Sequence, residues 1–462
     1  MTTALACAFA AAVLTVVMVV YEVGSSPVVL QLERALPRLN HTLDVAALLA
    51  HDLQRSSRLQ QSPVPGGVVD FPLHGSIEIG NYYTKVKLGT PPTEFKLLVD
   101  TGSTISWVRC SGIGSQGSVL RSSASRALPC SDWRCKSKDK SVGCSGQSDQ
   151  CGFSIIYGDL SSISGYLVAD QIYFDMYTSQ TWLPDRTVPI IFGCGTRLSK
   201  LFEMDGILAF GPGLWSIITQ LSEEGVTPSA FSHCLDGGLE GGGTLVLGEA
   251  LEPGMVYTPL VPSKPHYNVQ LQSIAVNGQM LPIDSKVFDL SQREIIIDSG
   301  TTYALLAADA LYPLMDAITG TITSTPVTVS GLSCYDQRSY SVSSPLPTVS
   351  FNFIGGGSML LKPEDYLVQL GSLGPASLHC IGFQKAPDGL IVLGELVLKN
   401  KIIVYDLGQQ RIGWTPYDCS QPMNVSIAPS PPLHHKGEAS SSRRLGVCSL
   451  VLVYILLYLF DI

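Results

Sequence analysis

Charge is scarce in this chain. Asp, Glu, Lys and Arg make up 15% of its 462 residues, well under the roughly 25% of an average soluble domain. What charge exists leans acidic, with 29 basic side chains against 38 acidic ones and a formal net charge of −9. Between residues 68 and 419 the balance is 22 to 32 with no basic run, which argues against nucleic acid as a partner. No C-x-x-C pair occurs, so zinc and thioredoxin-type chemistry have no support. No G-x-S-x-G occurs either, which removes the nucleophile turn of a serine hydrolase. Neither a metal nor a cofactor is expected. Hydrophobic residues, by contrast, reach 45%, enough for a large core and too many for a disordered chain. The 44 Gly and 29 Pro are scattered without period, which suits turns between short strands better than a helical bundle.

The two ends differ from the middle. Residues 4–21 form an apolar run followed by Gly24, Ser25 and Ser26, the layout of a cleaved secretory signal over 1–26. Residues 27–74 read as a removable prosegment. Apolar residues at helical spacing (Leu43, Ala46, Ala47, Leu53) accompany four arginines there, and Pro63 to Gly67 end the stretch. At the other end, residues 445–460 are apolar and only Asp461 and Ile462 follow. Arg443 and Arg444 precede that run and nothing basic follows it, the reverse of what a single membrane span requires. With small residues upstream, 441–462 read as a signal for attachment of a glycosylphosphatidylinositol (GPI) lipid, behind a Pro/Ser-rich stalk over 421–440. The expected location is therefore the secretory pathway and then the extracellular face of the plasma membrane. Two glycosylation sequons begin at Asn40 and Asn424. Once Cys7 and Cys448 leave with the ends, ten of the 12 Cys remain. An even number in a secreted chain points to five disulfides.

From Gly75 onward short β-branched or aromatic runs closed by Gly follow one another, such as 95–102, 190–195, 294–300 and 401–408. Two helices interrupt them. Leu214, Ile217, Ile218 and Leu221 recur at helical spacing before Gly225, and Leu311, Leu314, Met315 and Ile318 before Gly320, where Pro313 should kink or delay the helix. A repeat carries more weight. Lys96 to Ser103 reads KLLVDTGS and returns 198 residues later as EIIIDSGT, Glu294 to Thr301. Each copy is an apolar strand delivering one Asp into a Gly turn. A second matching element follows in each half, Ile207 to Gly211 and Ile391 to Gly394. The chain thus reads as a duplicated β lobe, 75–258 carrying Asp100 and 259–420 carrying Asp298.

A single Asp in such a turn commonly bonds its own backbone. Two of them, each ending an apolar strand, lack a partner unless they face each other. Like charges that close cannot both ionise, so the pair holds one shared proton. One carboxylate is then a base for water and the other an acid for a carbonyl.

At these residues the chain resembles the pepsin-like aspartic proteases, in particular their plant nepenthesin-like branch. The resemblance spans 75–419 and implies a mainly β, bilobal fold with the cleft between two related lobes. It implies an endopeptidase that acts on polypeptides, a monomer, with Asp100 and Asp298 catalytic. Ser103 and Thr301 would bond their outer oxygens, and Gly102 and Gly300 would bring backbone against them. Residues 151–170 resemble the family's flap, with Tyr157 and Gly158 over the substrate and Trp107 supporting Tyr157. Thr302 is placed in the substrate-binding set. The sequence departs from the family pattern at Thr104, Leu160 and Ala209; Leu160 stands where the flap usually has Gly. Under this resemblance Cys194 is expected to pair with Cys234 and Cys334 with Cys380. Cys110, Cys130, Cys135, Cys144 and Cys151 remain, and Cys419 is expected to reach that stretch. The competing function is a binding or inhibitor-like protein on the same fold with a decayed site.

Overall fold

A computed structural model describes the backbone of residues 28–31 and 33–34 and most of 82–425. The gaps in the latter are 111–119, 138, 145–148, 178–181, 201, 203, 239–240, 292, 321, 323, 330, 337–345, 374–375 and 388–389. The apolar ends, the expected helix within the prosegment, Asn40 and the lipid-attachment signal lie outside the described residues. Among the described residues no helix is long and apolar enough to cross a membrane.

Among the described residues the architecture is mainly β, with 47% strand and 13% helix, in two lobes. The duplication is visible strand by strand. In the first lobe Thr93–Asp100 pairs in parallel with Gly206–Ala209, which also runs antiparallel to Trp107–Arg109. In the second, Glu294–Ile297 pairs in parallel with Leu390–Leu393, which meets Ala304–Leu306 antiparallel. Parallel strands covered on both faces favour unbroken apolar runs. The triplets Leu97-Leu98-Val99 and Ile295-Ile296-Ile297 supply them, all buried.

A third sheet region joins the halves. Ala230–Leu235, from the first, pairs antiparallel with Lys401–Asp406, from the second. Around that seam lie Gly243–Leu247, Arg411–Pro416 and Val256–Pro259. Val28–Gln31 adds a strand to Gly243–Leu247, so part of the expected prosegment is built into the sheet.

Both helices form. Ile217–Glu223 buries Ile217, Ile218 and Leu221, and Gly225 follows with φ +68°. In Ala308–Thr319 Pro313 lies inside the helix and does not delay its start. Buried Ala310, Leu311, Leu314 and Ile318 hold the helix where Pro removes one backbone donor.

Two disulfide expectations are also corrected. Cys194 bonds Cys110, not Cys234, and Cys419 bonds Cys234, not the 110–151 stretch. Strand Trp182–Leu198 runs parallel to Trp107–Arg109, which brings Cys194 beside Cys110. Cys234 lies in the joining sheet, where Cys419 packs with Ile402, Val404 and Met423. Cys130–Cys144, Cys135–Cys151 and Cys334–Cys380 complete the set. The chain after residue 420 is not free stalk at once either. Met423 is buried, Val425 bridges Ala250, and Asn424 bonds Glu252.

Candidate active site

The repeated strands deliver their aspartates to one place. Each Asp ends or immediately follows its strand, and the parallel neighbour holds it there: Phe210 N–H donates to the Asp100 carbonyl at 2.8 Å, and Asp298 N–H donates to the Leu393 carbonyl at 3.0 Å. The turn then wraps its own carboxylate. Asp100 Oδ1 accepts from the N–H groups of Gly102 (2.7 Å) and Ser103 (3.0 Å), and Oδ2 from Ser103 Oγ (2.5 Å). Asp298 repeats this with Gly300 N–H (2.8 Å) and Thr301 Oγ1 (2.6 Å).

The glycines show that the carboxylates face each other. A Cβ on Gly102 would lie 2.6 Å from Asp298 Oδ1, and one on Gly300 would lie 2.5 Å from Asp100 Oδ1. Each turn's glycine is therefore the floor under the other turn's carboxylate, a contact no side chain could share.

Thr101 and Ser299 clasp the turns together. Thr101 N–H donates to Ser299 Oγ (3.2 Å) and Ser299 N–H to Thr101 Oγ1 (2.9 Å). Their hydroxyls donate onward across the pair, Thr101 to the Ile297 carbonyl (3.3 Å) and Ser299 to the Val99 carbonyl (2.9 Å). Both side chains are buried, so these bonds are not exchanged for water and fix the spacing of the aspartates.

The electrostatics follow. Burial first, and then the charge of Asp298, push the Asp100 carboxyl up; bonds from Ser103 and Gly102 oppose that in part. A carboxyl so placed keeps its proton well above the usual carboxylate range.

Over this pair stands a hairpin, Cys151–Ile156 against Ser162–Tyr177. Its strands alternate, so Phe153, Ile155 and Tyr157 pack inward with Trp107 while Ile156 is exposed. Trp107 Nε1–H donates to Tyr157 Oη at 2.7 Å. Burial and the Asp100 charge raise the Tyr157 phenol, which keeps it protonated. Gly158 is exposed, with open space where a Cβ would be. Leu160 takes φ +65°, the left-handed conformation a Gly would adopt without strain. Thr302 is half-buried, its carbonyl accepting from Leu396 N–H at 3.0 Å.

Sequence reasoning missed several contacts near this site. Lys200 Nζ donates to the Asp159 carbonyl and lies 3.6 Å from its carboxylate, tying the flap tip to the next turn. Tyr267 Oη donates to the Phe210 carbonyl at 2.6 Å, and Tyr405 Oη donates to Thr101 Oγ1 at 3.4 Å. None belongs to a local motif. Each depends on segments distant in sequence meeting in space.

Two matching acid turns, clasped between two β lobes beneath a hairpin, define the pepsin-like acid protease class. The sequence comparisons agree. Residues 82–249 match the family described as "Xylanase inhibitor N-terminal" and residues 266–416 match "Xylanase inhibitor C-terminal". Aspartic proteinase 36 of Arabidopsis thaliana is 33% identical over 409 residues, 82% of each chain. Aspartic proteinase nepenthesin-2 of Nepenthes gracilis is 30% identical over 363 residues, 74% of this chain and 78% of the relative. Conglutin gamma, a 7S globulin of lupine seeds, shares the fold at 19% identity, with a TM-score of 0.64 over 88% of this chain and all of its own. The chain belongs to the pepsin-like aspartic protease family, among its plant members.

Proposed function

We propose that this protein is an active aspartic endopeptidase, made in the secretory pathway and held on the outer plasma-membrane face by a GPI lipid. Its substrates are polypeptides. The observation that carries the catalytic part is the reciprocal floor of Gly102 and Gly300 under two intact, hydroxyl-bonded aspartates. One ionised carboxylate takes a proton from a water held between the pair, and the other donates its proton to the scissile carbonyl oxygen. Water adds directly to the carbonyl, so no acyl-enzyme forms. The resulting diol collapses as the leaving nitrogen takes up a proton, and the single proton on the dyad is restored. Tyr157 and Gly158 close over the peptide, with Trp107 holding the phenol in place.

A binding or inhibitor role is the second reading, prompted by the description of the matching family. The complete acid-turn constellation favours the enzyme. Purified protein freed of its prosegment should cleave a denatured protein between about pH 3 and about pH 7, with a fall on both sides of an acidic optimum. By family resemblance, pepstatin should inhibit it. An Asp298→Asn variant that cleaves as fast as the parent would refute the dyad.

A further inference from the structure

Behind the clasp lies a fully buried histidine that the mechanism above does not use. Strand Ala230–Leu235 alternates, so Phe231, His233 and Leu235 share one face while Ser232 and Cys234 share the other. His233 is 0% exposed. Its ring lies 5.7 Å from that of Tyr405, with Nε2 at 3.4 Å from Tyr405 Oη. The Tyr405 ring is itself fixed, stacked on Phe231 at 4.3 Å and tilted against Tyr267 at 4.8 Å.

Counting protons gives the chain a direction. Tyr405 Oη donates its one proton to Thr101 Oγ1, so toward His233 it can only accept. Nε2 must then carry the imidazole proton, and Nδ1 is left without a partner among the described residues. Thr101 in turn donates to the carbonyl of Ile297, the residue before Asp298. The donors in sequence are His233 Nε2–H, Tyr405 Oη–H and Thr101 Oγ1–H, and the Ile297 carbonyl accepts at the end. On the opposite side of the clasp, Ser299 Oγ accepts from Thr101 N–H and donates to Val99. No comparable aromatic donor reaches Ser299 among the described residues. A clasp that is symmetric in sequence is thus asymmetric in its bonding.

We infer that His233 and Tyr405 are positioning residues for the dyad, acting through Thr101 to set how the Asp100 turn meets the Asp298 turn. This rests on the proteolytic reading above only for its kinetic consequence, since the geometry of the carboxyls is set with or without turnover. The titratable groups around Tyr405 are His233, Tyr267 and Asp298; burial first, and then the charge of Asp298, raise the phenol. Burial alone acts on His233, holding it neutral down to about 3.

The test uses the mature protein and two readouts. Tyr405→Phe keeps the stacked ring and removes one oxygen. It should lower kcat about tenfold with KM little changed, as expected when reacting groups are misplaced slightly. It should also displace the carboxyl titration of Asp100 and Asp298 followed by carbon-13 NMR. His233→Gln can still donate from its Nε2 and should retain most of the parent kcat, whereas His233→Phe should match Tyr405→Phe. Parent-like kcat and parent-like carboxyl titration in Tyr405→Phe would overturn the inference. If the unmutated protein hydrolyses nothing, the proteolytic reading fails on its own, and the NMR titration still decides whether Tyr405 sets the dyad.

Discussion

Replacing His233 by Phe should make the folded protein less sensitive to acid. In the unfolded chain the imidazole titrates near 6.5, whereas burial, with no charged partner, lowers it to about 3 in the fold. Above the unfolded value the ring is neutral in both states, and the fold loses nothing. As pH falls below 6.5 the unfolded chain takes up a proton that the folded chain refuses, and stability drops. One pKa unit is worth about 1.4 kcal/mol, so the loss reaches about 3 kcal/mol near pH 4.5 and about 4 to 5 kcal/mol at pH 3. The Phe variant forfeits the Tyr405 hydrogen bond, worth about 1 kcal/mol at every pH. It should therefore be the less stable protein near neutrality and the more stable one in acid, with curves crossing around pH 6. Urea unfolding followed by tryptophan fluorescence at several pH values, disulfides intact, would measure the difference directly. A constant offset between the two proteins from neutral pH to about pH 4 would refute the reasoning, because it would mean that His233 takes up its proton equally in both states.

Tyr157→Phe leaves Trp107 Nε1–H without its acceptor and should reduce kcat/KM several-fold while the acidic optimum stays in place; an unchanged kcat/KM would remove Tyr157 from the flap's function. Gly102→Ala would put a methyl against Asp298 Oδ1, where the structure leaves 2.6 Å. Steady-state assays should show a loss of kcat on the order of a hundredfold, because the carboxylate must shift. Anchorage is tested on intact membranes: phosphatidylinositol-specific phospholipase C should release the protein, and retention with the 445–462 peptide still attached would favour a protein anchor.

The parts of the fold that were legible in the sequence are those set by neighbours along the chain. Short β-branched or aromatic runs closed by Gly, the acid turns and their recurrence gave the two-lobe β architecture. The helix stop at Gly225 was readable because a left-handed residue is a local requirement. What could not be read depends on which strands become neighbours. The family resemblance implied a Cys194–Cys234 pair within the first lobe. In space, Cys194 lies beside Cys110 across two parallel strands, and Cys234 lies in the joining sheet with Cys419. Pro313 was expected to kink or delay its helix, yet Ala308–Thr319 runs through it with a buried face that outweighs one lost backbone bond. His233 offered only a His-Cys dipeptide, and its contact with Tyr405 spans 172 residues. The dyad sits at the other extreme: its residues announce themselves locally, and only their mutual approach needed the structure.

The central claim is that Asp100 and Asp298 act as one unit. Measuring kcat/KM for Asp100→Asn, Asp298→Asn and the double variant, on one peptide at the acidic optimum, tests it most directly. The account predicts that all three fall to the same low floor, so that the second substitution adds nothing to the first. A double variant whose loss is the product of the two single losses would contradict it.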